Sequence, residues 1–91
     1  MREAELENWV RIRIRDIGGL CIKFTSPSMR GVPDRLVLLP GGKILFLELK
    51  RPGETARPEQ RKVHRRFKAL GAGVFVVDSK EKLEEILRDA L

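Results

Sequence analysis

A glutamate stands inside the most apolar run of the chain, Ile44-Leu45-Phe46-Leu47-Glu48-Leu49, and Lys50 closes that run. Pro40-Gly41-Gly42 before it and Arg51-Pro52-Gly53 after it are turn and breaker signals, so the run reads as a strand. Burying a carboxylate is costly unless a partner meets it. Side chains alternate along a strand, so Glu48 and Lys50 share a face, with Cβ atoms about 7 Å apart at a rise of ~3.3 Å per residue. A plain ion pair between them is one explanation, but buried pairs stabilise little and are readily replaced by apolar residues. Asp34 offers a second explanation. If the segment after Pro33 forms the neighbouring strand, Asp34 comes alongside Glu48. Two carboxylates then hold a divalent cation with an ammonium beside it. Hard oxygen ligands suit Mg²⁺ or Mn²⁺, and such a site can polarise a phosphodiester and activate water.

The 91 residues are expected to form one domain, spanning 1–91, with a small core. A formal charge of +6 fits either a polyanionic partner such as nucleic acid or a solvated basic surface. The one cysteine, Cys21, permits no internal disulfide and no cysteine-based zinc site. It lies in an apolar run and reads as a buried, inert thiol. No apolar run approaches the ~20 residues needed to span a bilayer. Charged residues run from Arg2 to Asp16, which argues against a secretory signal. The expected location is cytoplasmic, or nucleoid-associated.

Residues 3–17 read as a helix, because Leu6, Val10, Ile14 and Ile17 recur at helical spacing. Gly18-Gly19 ends it. Strands are expected over 20–25, 35–39, 43–50 and 74–77, the third buried on both faces in the middle of the sheet. Pro58 suits the first turn of a helix running to about Leu70, with Val63, Phe67 and Leu70 turned to the core. A last helix over 80–91 follows either an Asp78-x-x-Glu81 capping box or a Ser79 cap. The order is αβββαβα, an α/β chain with a central mixed sheet flanked by helices.

The ordered set of Glu7-x-x-Val10 in a helix ending at Gly18-Gly19, Phe24-Thr25-Ser26-Pro27, Gly31-Val32-Pro33-Asp34-Arg35, Glu48-Leu49-Lys50 and Pro58-Glu59-Gln60 resembles a PD-(D/E)xK nuclease. More closely, it resembles a small stand-alone VRR-NUC domain of the phage and bacterial type. The resemblance covers nearly the whole chain and implies the restriction-endonuclease-like fold. It further implies a Mg²⁺- or Mn²⁺-dependent endodeoxyribonuclease. Asp34, Glu48 and the Leu49 backbone carbonyl would hold the metal, joined directly or through water by Glu7. Glu3, one turn earlier, is the alternative. Lys50 would contact the scissile phosphate or orient the attacking water. Gln60 would stand beside the site, where its amide can bond a water or a phosphate. Arg57 stands where Ser or Thr would be the favoured cap, so the start of that helix is expected to be irregular. His64 is assigned no role.

The helix after Pro58 is strongly basic, with Arg61, Arg65 and Lys68 in one stripe and Lys62 and Arg66 in another. These residues, with Lys23 and Arg30, are the candidate contacts to DNA phosphates. There is no Tyr, and the Phe residues fall at core positions, so backbone and shape recognition is expected rather than base readout. Small stand-alone relatives resemble Holliday junction resolvases, which implies a homodimer on branched DNA. Trp9 and Met29 are its candidate interface residues. The alternatives are a flap- or nick-directed nuclease, a general DNA nuclease, and a non-catalytic nucleic-acid-binding module on the same fold.

Overall fold

The computed structural model describes all 91 residues. Helix α1 spans Glu3–Asp16, strands β1, β2 and β3 span Leu20–Lys23, Arg35–Leu39 and Lys43–Leu49, α2 spans Pro58–Ala69, β4 spans Gly73–Val77 and α3 spans Lys80–Ala90. The strands form one sheet in the order β1-β2-β3-β4. The first two pairings are antiparallel and β3–β4 is parallel. A parallel pair needs a crossover, and α2 supplies it.

Strand alternation divides the core. Leu6, Val10 and Ile14 of α1 and Leu83, Ile86 and Leu87 of α3 pack on one sheet face, against Cys21, Val37, Leu39, Leu47, Leu49 and Val77. Truncating one of the fully buried leucines here to alanine is expected to cost about 2–5 kcal/mol. Helix α2 packs on the other face, on the β4 side. There Phe46 packs at a tilt against Phe24 and edge-to-face against Phe67, with ring centroids 5.4 and 5.1 Å away.

Strand β3 departs from the expectation of burial on both faces. Leu47, Glu48 and Leu49 are buried, but Lys43 and Ile44 are exposed. Helix α2 covers only part of its sheet face. The remainder stays open, and Leu20, Leu38 and Ile44, which are cross-strand neighbours, lie there 53%, 39% and 53% exposed, with Ile22 beside them. Leu70, expected in the core, lies beyond the end of α2 and is exposed. Trp9 is half-buried against the core, with the Lys80 ammonium 5.4 Å from its ring centroid. It therefore covers part of the core. Met29 is half-buried as well.

Two local expectations are resolved by hydrogen bonds. Ser79, not Asp78, caps α3, its hydroxyl accepting the Lys82 N–H at 3.1 Å. Helix α2 starts regularly with Arg57 at its N-cap, because Gln60 reaches back and accepts the Arg57 N–H at 2.9 Å. An arginine side chain has no acceptor, so only the glutamine half of the reciprocal cap can form.

Candidate active site

The antiparallel register pairs Arg35 with Leu47 and Leu36 with Phe46. Carried one step further, it sets Asp34 opposite Glu48 on the sheet face that carries α2. The β1–β2 pairing also reaches Asp34, whose carbonyl accepts the Phe24 N–H at 2.9 Å. Gly31 makes the approach possible. Its φ is +84°, and a Cβ there would stand 2.9 Å from the Glu59 carbonyl oxygen of α2. Only glycine lets the loop turn and lie against the helix at this point.

Both Asp34 carboxylate oxygens lie 3.3 Å from the Leu49 N–H. In an extended strand the N–H and C=O of one residue point to the same side, so the Leu49 carbonyl is directed to the Asp34 side too. Glu48 is 3% exposed. Its Oε2 accepts from Gln60 Nε2 at 3.2 Å and lies 3.5 Å from Lys50 Nζ. Its Oε1 has no hydrogen-bond partner and faces His64 Nε2 at 3.7 Å, an atom equally without a partner. Gln60 and His64 are both buried.

Burial and the nearby Asp34 charge push the Glu48 carboxyl up to about 7. Burial also raises Asp34, although the Arg35 guanidinium opposes it. Burial lowers His64, so its imidazole is held toward the neutral form. Two carboxylates that resist ionising together are a site in want of positive charge. Lys50 supplies part of it. The other available compensation is a cation, and the oxygen donors of Asp34, Glu48 and the Leu49 carbonyl suit a hard divalent ion. The orphaned buried Glu48 Oε1 fits that use.

The structure thus brings Asp34, Glu48, Lys50 and Gln60 together. It holds Glu7 on Arg35, with Nη2 to Oε2 at 2.8 Å, while Arg35 Nη1 donates to the Asp34 carbonyl at 2.9 Å. No three His, Cys, Asp or Glu side chains converge as a metal-holding group. The α1 charge that raises Asp34 is that of Glu3. Gln60 donates to Glu48 and accepts the Arg57 N–H at the helix start. Lys23, Arg30, Lys62 and Arg66 are exposed. Arg61, Arg65 and Lys68 line a cleft of about 510 Å³.

Sequence reasoning passed over His64. The signal was its i+4 spacing from Gln60, which puts both side chains on one face of α2. It also gave Arg35 no role, although Arg35 links Glu7 to Asp34.

An αβββαβα chain with two carboxylates and a lysine meeting at the end of a mixed sheet has the restriction-endonuclease-like architecture. No family model matches the chain. A protein of Acyrthosiphon pisum secondary endosymbiont phage 1 with the name "Putative nuclease p44" is 51% identical over 81 residues, which is 89% of this chain and 87% of that protein. A solved structure described as a VRR_NUC domain matches with a TM-score of 0.88 at 34% identity, covering 94% of each chain. The chain belongs to the VRR-NUC family of PD-(D/E)xK nucleases. No helix is long and apolar enough to cross a membrane.

Proposed function

We propose that this VRR-NUC protein is a Mg²⁺- or Mn²⁺-dependent DNA endonuclease that acts as a homodimer on branched DNA, in the manner of a Holliday junction resolvase. The observation that carries the metal-dependent reading is the meeting of Asp34 and Glu48, with Gln60 and Lys50 both on Glu48 Oε2. A divalent cation, when bound by Asp34, Glu48 and the Leu49 carbonyl, polarises the phosphodiester and lowers the pKa of the attacking water. Gln60 fixes the Glu48 carboxylate in place. Lys50 stands beside it to stabilise the charge that develops on the pentavalent phosphorus. The exposed lysines and arginines flanking α2 hold the backbone on either side of the scissile bond. With no aromatic platform to stack bases, selection rests on backbone and shape.

One requirement of the proposed substrate and one observation support the homodimer. Paired incision of a four-way junction needs two sites at a fixed separation, which one chain with one carboxylate pair does not supply. The open sheet face offers an apolar surface, Leu20, Ile22, Leu38 and Ile44, which a two-fold contact with a second copy would cover. In this reading the interface is that surface, Trp9 and Met29 being half-buried. The test is cleavage of labelled four-way junction, flap, nicked and plain duplex DNA with Mg²⁺, Mn²⁺ or EDTA. Paired, metal-dependent cuts across the junction are expected. Preferential flap or nick cutting replaces the junction reading, and full activity in EDTA removes the metal.

A further inference from the structure

The cleft beside α2 lies on the opposite side of Glu48 from the Asp34 pairing. Its lining includes Val76 of β4, which pairs with Glu48 across the sheet, and His64, which faces the Glu48 carboxylate. The buried side chains of Glu48, Gln60 and His64 separate it from Asp34. Four cations line this cleft: Arg61, Arg65 and Lys68 from α2, and Lys82 from the first turn of α3. None of them is in an ion pair with a carboxylate. Of the two acids that share the lining, Glu54 is paired with Arg51, while Asp78 meets only a backbone N–H, so four cations stand against one unpaired carboxylate. Glu54 accepts from the Arg51 guanidinium at 2.9 Å and from its N–H at 3.1 Å, and Asp78 accepts the Gly53 N–H at 3.5 Å. The surface therefore gathers unpaired positive charge in a concave place, where the field on an anion is strongest.

We infer that this cleft is a second phosphodiester-backbone site, in which Lys82 joins the α2 cations to hold a nucleic-acid strand on the side of α2 away from Asp34. This rests on the nuclease reading and deepens it. A strand held there and a phosphate held at Asp34 lie on opposite flanks of one helix. A substrate that reaches both must wrap α2, which branched or bent DNA does more readily than a short straight duplex.

Lys82→Glu tests it. Lys82 is exposed, and a carboxylate in the first turn of a helix is favourable, so the variant is expected to fold. Lys80→Glu is the control, with the same change in net charge; the Lys80 ammonium lies over the Trp9 ring and outside the cleft, so the melting curve reads any loss of that packing. Two residues away is about 200° around a helix, so that side chain faces away from the cleft. Binding of labelled junction and duplex DNA is measured in EDTA over a range of salt, with thermal melting of each variant alongside. Lys82→Glu is expected to weaken junction binding about tenfold and to reduce the slope of log K against log salt by about one. Lys80→Glu should leave the slope unchanged. If Lys82→Glu keeps the wild-type affinity and slope, the cleft inference is wrong while the nuclease reading stands. A wild-type protein that neither binds nor cleaves DNA removes both. Protection of the cleft by thymidine monophosphate, with DNA affinity untouched by Lys82→Glu, would place a free nucleotide there and overturn the strand assignment.

Discussion

His64 Nε2 and Glu48 Oε1 face one another at 3.7 Å, both buried and neither hydrogen-bonded. The separation is beyond hydrogen-bond range, and closing it by about 0.7 Å makes a good bond. On the other oxygen, Gln60 already donates at 3.2 Å. With that bond made, the carboxylate would be fixed from both oxygens and its remaining lone pairs held in one orientation, which is how outer partners orient metal ligands. His64→Phe keeps the ring shape and removes the donor. It is expected to lower Mn²⁺ affinity about 10- to 100-fold by calorimetry. DNA affinity in EDTA should be unchanged. His64→Gln carries an amide nitrogen at the reach of Nε2 and should restore most of the loss. Wild-type Mn²⁺ affinity in His64→Phe would leave His64 as packing alone.

The Glu48 carboxyl is raised from 4.5 to about 7 by burial and by Asp34, and Asp34 shifts the same way. The unfolded chain releases the Glu48 proton near 4.5, while the folded chain keeps it to about 7. The resulting stabilisation is full below 4.5, fades between 4.5 and 7, and is absent above 7. Melting temperature in EDTA should therefore fall as pH rises through that window. Glu48→Gln should flatten the fall. Mg²⁺ competes with the proton, so it should raise the melting temperature more at pH 8 than at pH 5. A metal-free melting curve independent of pH would contradict this.

Lys50 is 3.5 Å from Glu48 and lies just past the end of β3. Lys50→Ala should reduce cleavage about 10²- to 10³-fold, the loss typical of one donor to a developing charge. DNA binding in EDTA should stay within twofold of wild type, since the contact matters in the transition state. Cleavage at the normal rate would make Lys50 only a partner of Glu48.

Ile44 is 53% exposed on the open sheet face, so a charge there costs the isolated fold little. Ile44→Asp should convert a sedimenting dimer to a monomer. Paired junction cuts should give way to single nicks. A wild-type protein that sediments as a monomer at micromolar concentration, yet makes paired cuts, would overturn the two-fold mechanism.

Much of this protein follows from local sequence. Apolar spacing defined α1, glycines and prolines bounded the strands, and the burial problem of one glutamate pointed to Asp34 and Lys50. These are properties of short windows, where backbone geometry and side-chain alternation leave few choices. The VRR-NUC resemblance, carried by ordered motifs, agrees with the fold and the relatives.

Tertiary packing decided the rest. That Gln60 meets Glu48 depends on how α2 crosses the sheet, and that crossing is set by contacts far apart in the chain. The same crossing buried His64 beside Glu48 and left Leu38 and Ile44 open, although both alternate as core residues would. Glu7 and Glu3 sit one turn apart on α1, and only Arg35, placed by the β2–β3 register, draws Glu7 to itself. Lys82 and Arg65 are seventeen residues apart in sequence and share a cleft because β4, which α2 covers, leads directly into α3. Periodicity tells which face of an element is apolar; which neighbour covers that face is settled by packing among all the elements at once.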